Sequence, residues 1–207
     1  MLSAGLSVSY SNLEIIFNEL IDSYLATNVG TVKNFLSQAL SAHLVNNIST
    51  LYAGDKLLAA GTGNKRLVNH DTLIRGDKIY WLDRIHNDVH ENDFFDLMDR
   101  FVSHLNSSCY AGITGYEFHY TLYEKGSFYK RHIDNFKQNG TRAFSMIIYL
   151  NTEVDGGALR IYQGNGSQDI SPNSGKSVFF KSTELEHEVL VTRLPRMSIT
   201  GWLKVAG

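Results

Sequence analysis

The sequence predicts a mainly β protein with supporting helices, and two observations carry that reading. In the first third of the chain, apolar residues recur at helical spacing. From about Tyr116 the period changes to short aromatic and β-branched runs separated by Gly, Asn, Asp and Ser. Many short strands in succession suggest a sandwich or barrel rather than alternating β and α units.

Leu13, Ile16, Phe17, Leu20 and Tyr24 form one helical stripe, and Val32, Phe35, Leu36, Ala39, Leu40 and Leu44 form a second. Both read as faces turned toward a core. AGTGNKRLVNHDT (Ala60 to Thr72) reads as a long loop. Its Gly61 and Gly63 lack the third glycine and the flanking strand and helix of a nucleotide-binding turn. FFDLMDRFVSHL predicts a third amphipathic helix with Phe94, Met98, Phe101 and Leu105 on one face. The strands that follow are YEFHYTLY, AFSMIIYLN, ALRIYQG, KSVFFKS, HEVLVT and RMSITGWLK.

The 207 residues suit one domain of generous size, taken as 1–207, with a mostly helical part over 1–110 and a β-core over 111–207. The 11 phenylalanines and 11 tyrosines are enough for a real core. A formal charge of −2 without any basic run argues against nucleic acid as the main partner. The single Cys109 excludes an internal disulfide framework and suits a reducing compartment. MLSAGLSVSYSNLE has neither a basic leader nor a long apolar stretch, so a soluble cytoplasmic protein without a membrane span is expected, a monomer by default.

The chemistry centres on YKRHIDNF. His132 and Asp134 stand at i and i+2, which on a strand turns both to one face. An HxD pair alone is weak evidence for a metal, and a surface strand with a salt bridge is the more ordinary reading of it. His187, in ELEHEVLVT, offers a third ligand if its strand lies beside the first. Two imidazoles and one carboxylate form a facial set that leaves three positions open and favours non-haem Fe(II) over thiolate-seeking zinc. Arg196 follows nine residues after His187, and alternation puts Arg196, Ser198, Thr200 and Trp202 on one face. If the RLP turn joins two adjacent antiparallel strands, His187 and Arg196 reach the same end of one cavity. There a guanidinium can grip a carboxylate in bidentate fashion. His43, His70, His86, His90, His104 and His119 have no partner at ligand spacing and read as structural.

HxD, the distal His and the following Arg resemble the Fe(II)/2-oxoglutarate-dependent dioxygenases. LIRGDKIYWLD, YKRHIDN, IIYLN, GGALRIY and HEVLVTRLPRMSITGWL are similar, in order, to the prolyl 4-hydroxylase branch, especially the oxygen-sensing prolyl hydroxylases and their bacterial relatives. The resemblance covers roughly Leu73 to Lys204. It implies a double-stranded β-helix (jelly-roll) core preceded by the helical layer. It also implies Fe(II), with 2-oxoglutarate and O2 as co-substrates and ascorbate as reductant. By position it assigns His132, Asp134 and His187 to the metal, and Arg196 and Tyr149 to the distal carboxylate of 2-oxoglutarate. Thr200, Trp202, Ile147 and Val189 fall to the same pocket, and Tyr129, Arg142, Arg75, Asp77 and Trp202 to the substrate.

Relatives often carry Tyr-Pro-Gly before the metal motif, where this chain has TLYEKGSFY; Tyr123 is the matching tyrosine, with Tyr120 the rival. Strict alternation would send Tyr129 away from His132, so its role requires a bulge or loop. Arg75 and Asp77, inside an RGD tripeptide that signals adhesion only by chance, are expected to pair and anchor the preceding loop; if exposed, such a pair contributes only about 0–1 kcal/mol and acts by positioning the loop. The implied partner is a protein or peptide containing a target proline. Two alternatives stay open: an oxygenase acting on a free amino acid or metabolite, and a non-catalytic metal-binding or oxygen-sensing module.

Overall fold

The computed structural model describes residues 4–61, 71–134, 141–153 and 155–207. Three helices come from the first half: α1 (Ala4–Thr27), α2 (Gln38–Ala53) and α3 (Val89–Cys109). Their starts follow local chemistry. The Ser37 hydroxyl accepts from the Leu40 N–H, and the Asp88 carboxylate accepts from His90 and Glu91 N–H, which caps orphan donors of α2 and α3. The first strands are β1 (Gly30–Val32), β2 (Leu58–Ala59) and β3 (Asp77–Trp81). Then come β4 (Ile113–Tyr123), β5 (Tyr129–His132), β6 (Arg142–Tyr149), β7 (Leu159–Gln163), β8 (Gly166–Ile170), β9 (Ser177–Lys181), β10 (His187–Val189) and β11 (Arg196–Val205).

The strands form two antiparallel sheets, β1-β9-β6-β11-β4-β3-β2 and β5-β10-β7-β8. This is the double-stranded β-helix expected, with helices covering the outer face of the larger sheet. Alternation along the central strands separates two interiors. On β4, Phe118, Tyr120 and Leu122 join Phe17, Leu44, Phe94 and Phe101 in the core under the helices. Tyr123, Ile147, Tyr149, Leu159, Phe180 and Val189 form a smaller apolar cluster between the sheets. Gly201 is paired with Phe118 on β4, and a Cβ there would lie 2.2 Å from the Glu117 carbonyl oxygen, so no other residue fits without moving a strand. Among the described residues, no helix is long and apolar enough to cross a membrane.

Three expectations change. Val32 lies on β1, and Phe35 and Leu36 precede the Ser37 cap, so the second helical stripe begins only at Gln38. These three residues are buried, which satisfies a periodic pattern without a helix. Strand β8 (GSQDI) has only Ile170 buried and carries no apolar alternation to reveal it. Finally, β10 and β11 are not partners: the RLP turn carries the chain from the small sheet to the large one. Within the loop expected over Ala60–Thr72, residues 62–70 lie outside the described part.

Phe101 ties the helical layer to the sheet, with its ring centroid 5.1 Å from Phe17, 5.5 Å from Phe35 and 5.8 Å from Phe179. Phe101→Ala is expected to lower stability by about 3–5 kcal/mol, because the ring is fully enclosed and its loss leaves a cavity. Urea denaturation measures the change.

Candidate active site

The candidate site is built from a cross-strand pair. β10 lies beside β5 with His187 opposite His132, while the next aligned pair is Val189 with Tyr129. Two steps on β10 therefore match three on β5. This bulge supplies the irregularity that Tyr129 needs: its ring stacks on His132 at 3.6 Å between centroids. β5 ends at His132, so Asp134 is delivered by the bend after the strand rather than by strand alternation.

The ligand atoms of His132, Asp134 and His187 all lie within 4.8 Å of one another. Asp134 sits between the imidazoles, with Oδ1 3.5 Å from His132 Nε2 and Oδ2 3.5 Å from His187 Nε2. Each ring is oriented from behind. His132 Nδ1 is 2.7 Å from the Lys130 carbonyl oxygen, and His187 Nδ1 is 3.1 Å from that of Leu185. A carbonyl only accepts, so each Nδ1 carries a proton and Nε2 is the atom each ring can offer to a cation, although Asp134, against the effect of burial, raises the pKa of His187. The Ser145 hydroxyl donates to Asp134 Oδ2 at 2.7 Å. Burial disfavours the charge on Asp134, but His187 and His132 outweigh it and hold the carboxyl well below the usual range. Burial likewise lowers the pKa of His132, against the pull of Asp134. An ionised carboxylate and two Nε2 lone pairs suit a hard-to-borderline divalent cation with open positions.

Opposite this group, the larger sheet makes the floor of one cavity of about 1090 Å³. Register sets the floor in rows. Arg196 pairs with Tyr123 and Tyr123 with Asp77; Thr200 pairs with His119 and His119 with Trp81; Trp202 pairs with Glu117. Although β10 and β11 belong to different sheets, His187 and Arg196 line the same cavity from opposite walls. Arg196 is fully buried, with its guanidinium carbon 4.9 Å from the Tyr123 ring and 5.0 Å from that of Tyr149. No carboxylate of the described residues is within ion-pair distance of it, and its Nε lacks a hydrogen-bond partner among them. Its Nη1 lies 3.5 Å from the Ser198 hydroxyl, and a guanidinium so placed can take an anionic ligand from the cavity.

The remaining expected residues divide. Tyr123 lines the cavity, whereas Tyr120 points from the other face of β4 into the helical core, so parity separates the two rivals. Ile147, Val189, Thr200, Trp202, Tyr129 and Arg142 line the cavity. Tyr149 is buried behind Arg196, outside the cavity lining, and its hydroxyl donates to the Ile170 carbonyl at 3.4 Å. Burial pushes the Tyr129 phenol up to about 12. Arg142 donates to Glu117 at 2.9 Å and lies 3.5 Å over the Trp202 ring.

Arg75 and Asp77 pair as expected, through two hydrogen bonds of 2.8 and 2.6 Å, but they are not an exposed pair. Their side chains are 14% and 0% accessible, so the pair belongs to the wall of the cavity and not to the surface. Arg75 also donates to the Gly61 carbonyl at 3.1 Å and covers the Tyr129 ring at 4.1 Å, which ties the start of the long loop to β5.

Several lining residues escaped the sequence reading. His119 and His86, read as structural, line the cavity, as do Trp81, Thr121 and Glu117. Parity with Tyr123 on β4 was the available signal for positions 117, 119 and 121. Burial brings the His119 imidazole down to about 4, so it is neutral near pH 7. His70 lies outside the described residues.

Comparison with known proteins follows this geometry. Residues 118–204 match the model of the 2OG-Fe(II) oxygenase superfamily. A prolyl-4-hydroxylase from Pseudomonas putida is 30% identical, with 92% of this chain and all of that chain covered, at a TM-score of 0.81. The chain belongs to the 2OG-Fe(II) oxygenase superfamily. A prolyl hydroxylase from Trichoplax adhaerens, solved with a hypoxia inducible factor oxygen degradation domain peptide fragment, is 25% identical over 95% of this chain and 92% of that one, at a TM-score of 0.83. A PKHD-type hydroxylase from Picosynechococcus sp. is 31% identical over 88 residues, which is 41% of this chain and 40% of that relative's length. The His-Asp-His donor set and the buried Arg196, whose Nε has no hydrogen-bond partner among the described residues, fit the iron and the dicarboxylic co-substrate of this superfamily.

Arg75→Ala would leave Asp77 buried without its partner, at a cost of about 3–5 kcal/mol. Arg75→Lys should recover only part of this, since one ammonium cannot reproduce the fork on Asp77 together with the bond to Gly61. Urea midpoints of both variants against the parent protein check the order.

Proposed function

We propose that residues 1–207 act as one Fe(II)- and 2-oxoglutarate-dependent dioxygenase unit that hydroxylates a proline in a protein or peptide. The observation that carries this reading is the facing pair of walls: a three-ligand metal set on one, and on the other a buried arginine with no carboxylate of the described residues within ion-pair distance.

In this reading His132 and His187, through Nε2, and Asp134 hold the iron. The bound iron with 2-oxoglutarate and O2 supplies oxidative decarboxylation to succinate and CO2, coupled to hydroxylation of the substrate. Arg196 receives the distal carboxylate, with Tyr123 and Tyr149 on either side of the guanidinium. Ile147, Leu159 and Val189 close the apolar wall and exclude water around the co-substrate. Ser145 steadies Asp134, and the two backbone carbonyls steady the imidazoles, so the ligands need little reorganisation. Ascorbate serves as reductant.

The cavity is larger than a dicarboxylic acid requires, and it continues past Trp202, Arg142, His119 and Trp81 to Tyr80, His86 and Leu58. That aromatic extension favours a peptide over a free amino acid, and the likeness to the two prolyl hydroxylase structures described above favours proline as the residue. Tyr129, Arg142, Trp202, Arg75 and Asp77 would border the peptide. The exposed, unpaired Cys109 accords with the cytoplasmic location we propose.

Purified protein with Fe(II), ascorbate and 2-oxoglutarate is expected to form succinate, more so with cell lysate, whose proteins should gain one oxygen on proline by mass spectrometry. His187→Ala should abolish succinate formation; normal formation by this variant would remove the triad assignment. Triad-dependent succinate without hydroxylated proline would redirect the reading to a small-molecule substrate.

Arg196→Ala should raise the KM for 2-oxoglutarate more than about tenfold, the effect of truncating one partner of a buried charge pair. Tyr123→Phe should raise it by about three- to tenfold through one lost hydrogen bond, whereas Tyr120→Phe should leave it unchanged. Steady-state kinetics with varied 2-oxoglutarate distinguish the three.

A further inference from the structure

Glu153 lies in the segment between β6 and β7 and is 1% accessible. Its Oε1 accepts from the Arg193 N–H at 2.7 Å and the Leu194 N–H at 3.0 Å. Two residues earlier, Asn151 donates to the Pro195 carbonyl and accepts from the Met197 N–H, both at 2.7 Å. Between them, the two side chains grip the backbone on both sides of Arg196, where the chain enters β11.

The second carboxylate oxygen is the informative one. Glu153 Oε2 is buried and has no hydrogen-bond partner among the described residues, and the same is true of Arg196 Nε. The two groups are neighbours across a glycine. A Cβ at Gly157 would lie 2.4 Å from Glu153 Oε2 and 3.0 Å from Arg196 Cδ. Gly157 has φ +60°, and the neighbouring Gly156 leaves room in the same way, its Cβ position falling 3.0 Å from Glu153 Oε1. The pair of glycines thus lets a buried carboxylate approach the stem of a buried arginine.

A buried guanidinium is costly unless a negative charge lies near it. Glu153 provides that charge from behind, beyond ion-pair distance, so the outer nitrogens of Arg196, one of which is 3.5 Å from the Ser198 hydroxyl, are not tied up by a carboxylate of the described residues. We infer that Glu153 is the positioning residue for Arg196, and through it sets the preference of this site for 2-oxo acids bearing a distal carboxylate. The inference rests on the reading of Arg196 as the anchor of 2-oxoglutarate.

Calorimetric titration of the Mn(II)-loaded full chain with 2-oxoglutarate and with 2-oxobutyrate tests it. Both can chelate the metal, but only the first has a distal carboxylate. The parent protein should prefer 2-oxoglutarate; absence of any preference would remove the Arg196 reading itself. Glu153→Ala should reduce the preference at least tenfold, by weakening 2-oxoglutarate while 2-oxobutyrate changes little. Glu153→Gln, isosteric and able to keep the Oε1 contacts, should reduce it about threefold, and it serves if the alanine variant does not fold. A preference unchanged in the variants, whether both acids weaken equally or neither does, would overturn the inference while leaving the Arg196 reading in place.

Discussion

One cross-strand pair, His132 opposite His187, sets the geometry on which the site depends. It is made by two short strands, and the bulge beside it is what turns Tyr129 toward His132. A shift of one residue in this register would turn one imidazole to the outer face of the small sheet, away from Asp134. The pairing is secured from both sides. β7 holds the far edge of β10, with His187 opposite Ile161, while Arg75 bridges Tyr129 on the near edge of β5. The buried Arg75–Asp77 pair, whose aspartate opens β3, thereby couples the small sheet to the large one.

The large sheet answers with parity. Each central strand carries one set of side chains into the helical core and the other into the cavity, so stability and chemistry occupy opposite faces of the same strands. Phe118, Tyr120 and Leu122 pack under α3, while Glu117, His119, Thr121 and Tyr123 face the small sheet. The separation lets the cavity carry groups that a core would not tolerate, including a neutral histidine, a buried ion pair and a guanidinium with no carboxylate of the described residues within ion-pair distance.

Much of this was legible in the sequence, because strong periodicity and specific chemistry coincide there. The helical stripes of α1 and α3, the six apolar strands and the HxD, His and Arg positions follow from spacing and side-chain type. What stayed hidden has physical causes. β8 is polar except for Ile170, so alternation had nothing to report. Phe35 and Leu36 are buried from a non-helical segment, and their spacing mimicked a helix. The exposure of Arg75 and Asp77 is a tertiary property, decided by β5 lying across them. The crossing between β10 and β11 was read as a hairpin because a short turn links them, yet the turn spans two sheets.

The same crossing explains why the turn before Arg196 is so heavily braced. A strand that enters a sheet from a hairpin is registered by its partner, but β11 arrives from the opposite sheet and needs another device for its first residue. Backbone pairing with β4 begins at Arg196 itself, opposite Tyr123, so nothing upstream on β11 can position it. Asn151 and Glu153 supply that register from the loop after β6, and the glycines at 156 and 157 make room for the Glu153 carboxylate. A site whose arginine must face the ligand set of the other sheet therefore depends on a loop that supplies neither a metal ligand nor a cavity-lining side chain. The GG of GGALRIY acquires a physical reason in the same step: it is the gap through which a buried carboxylate lies against the stem of a buried arginine.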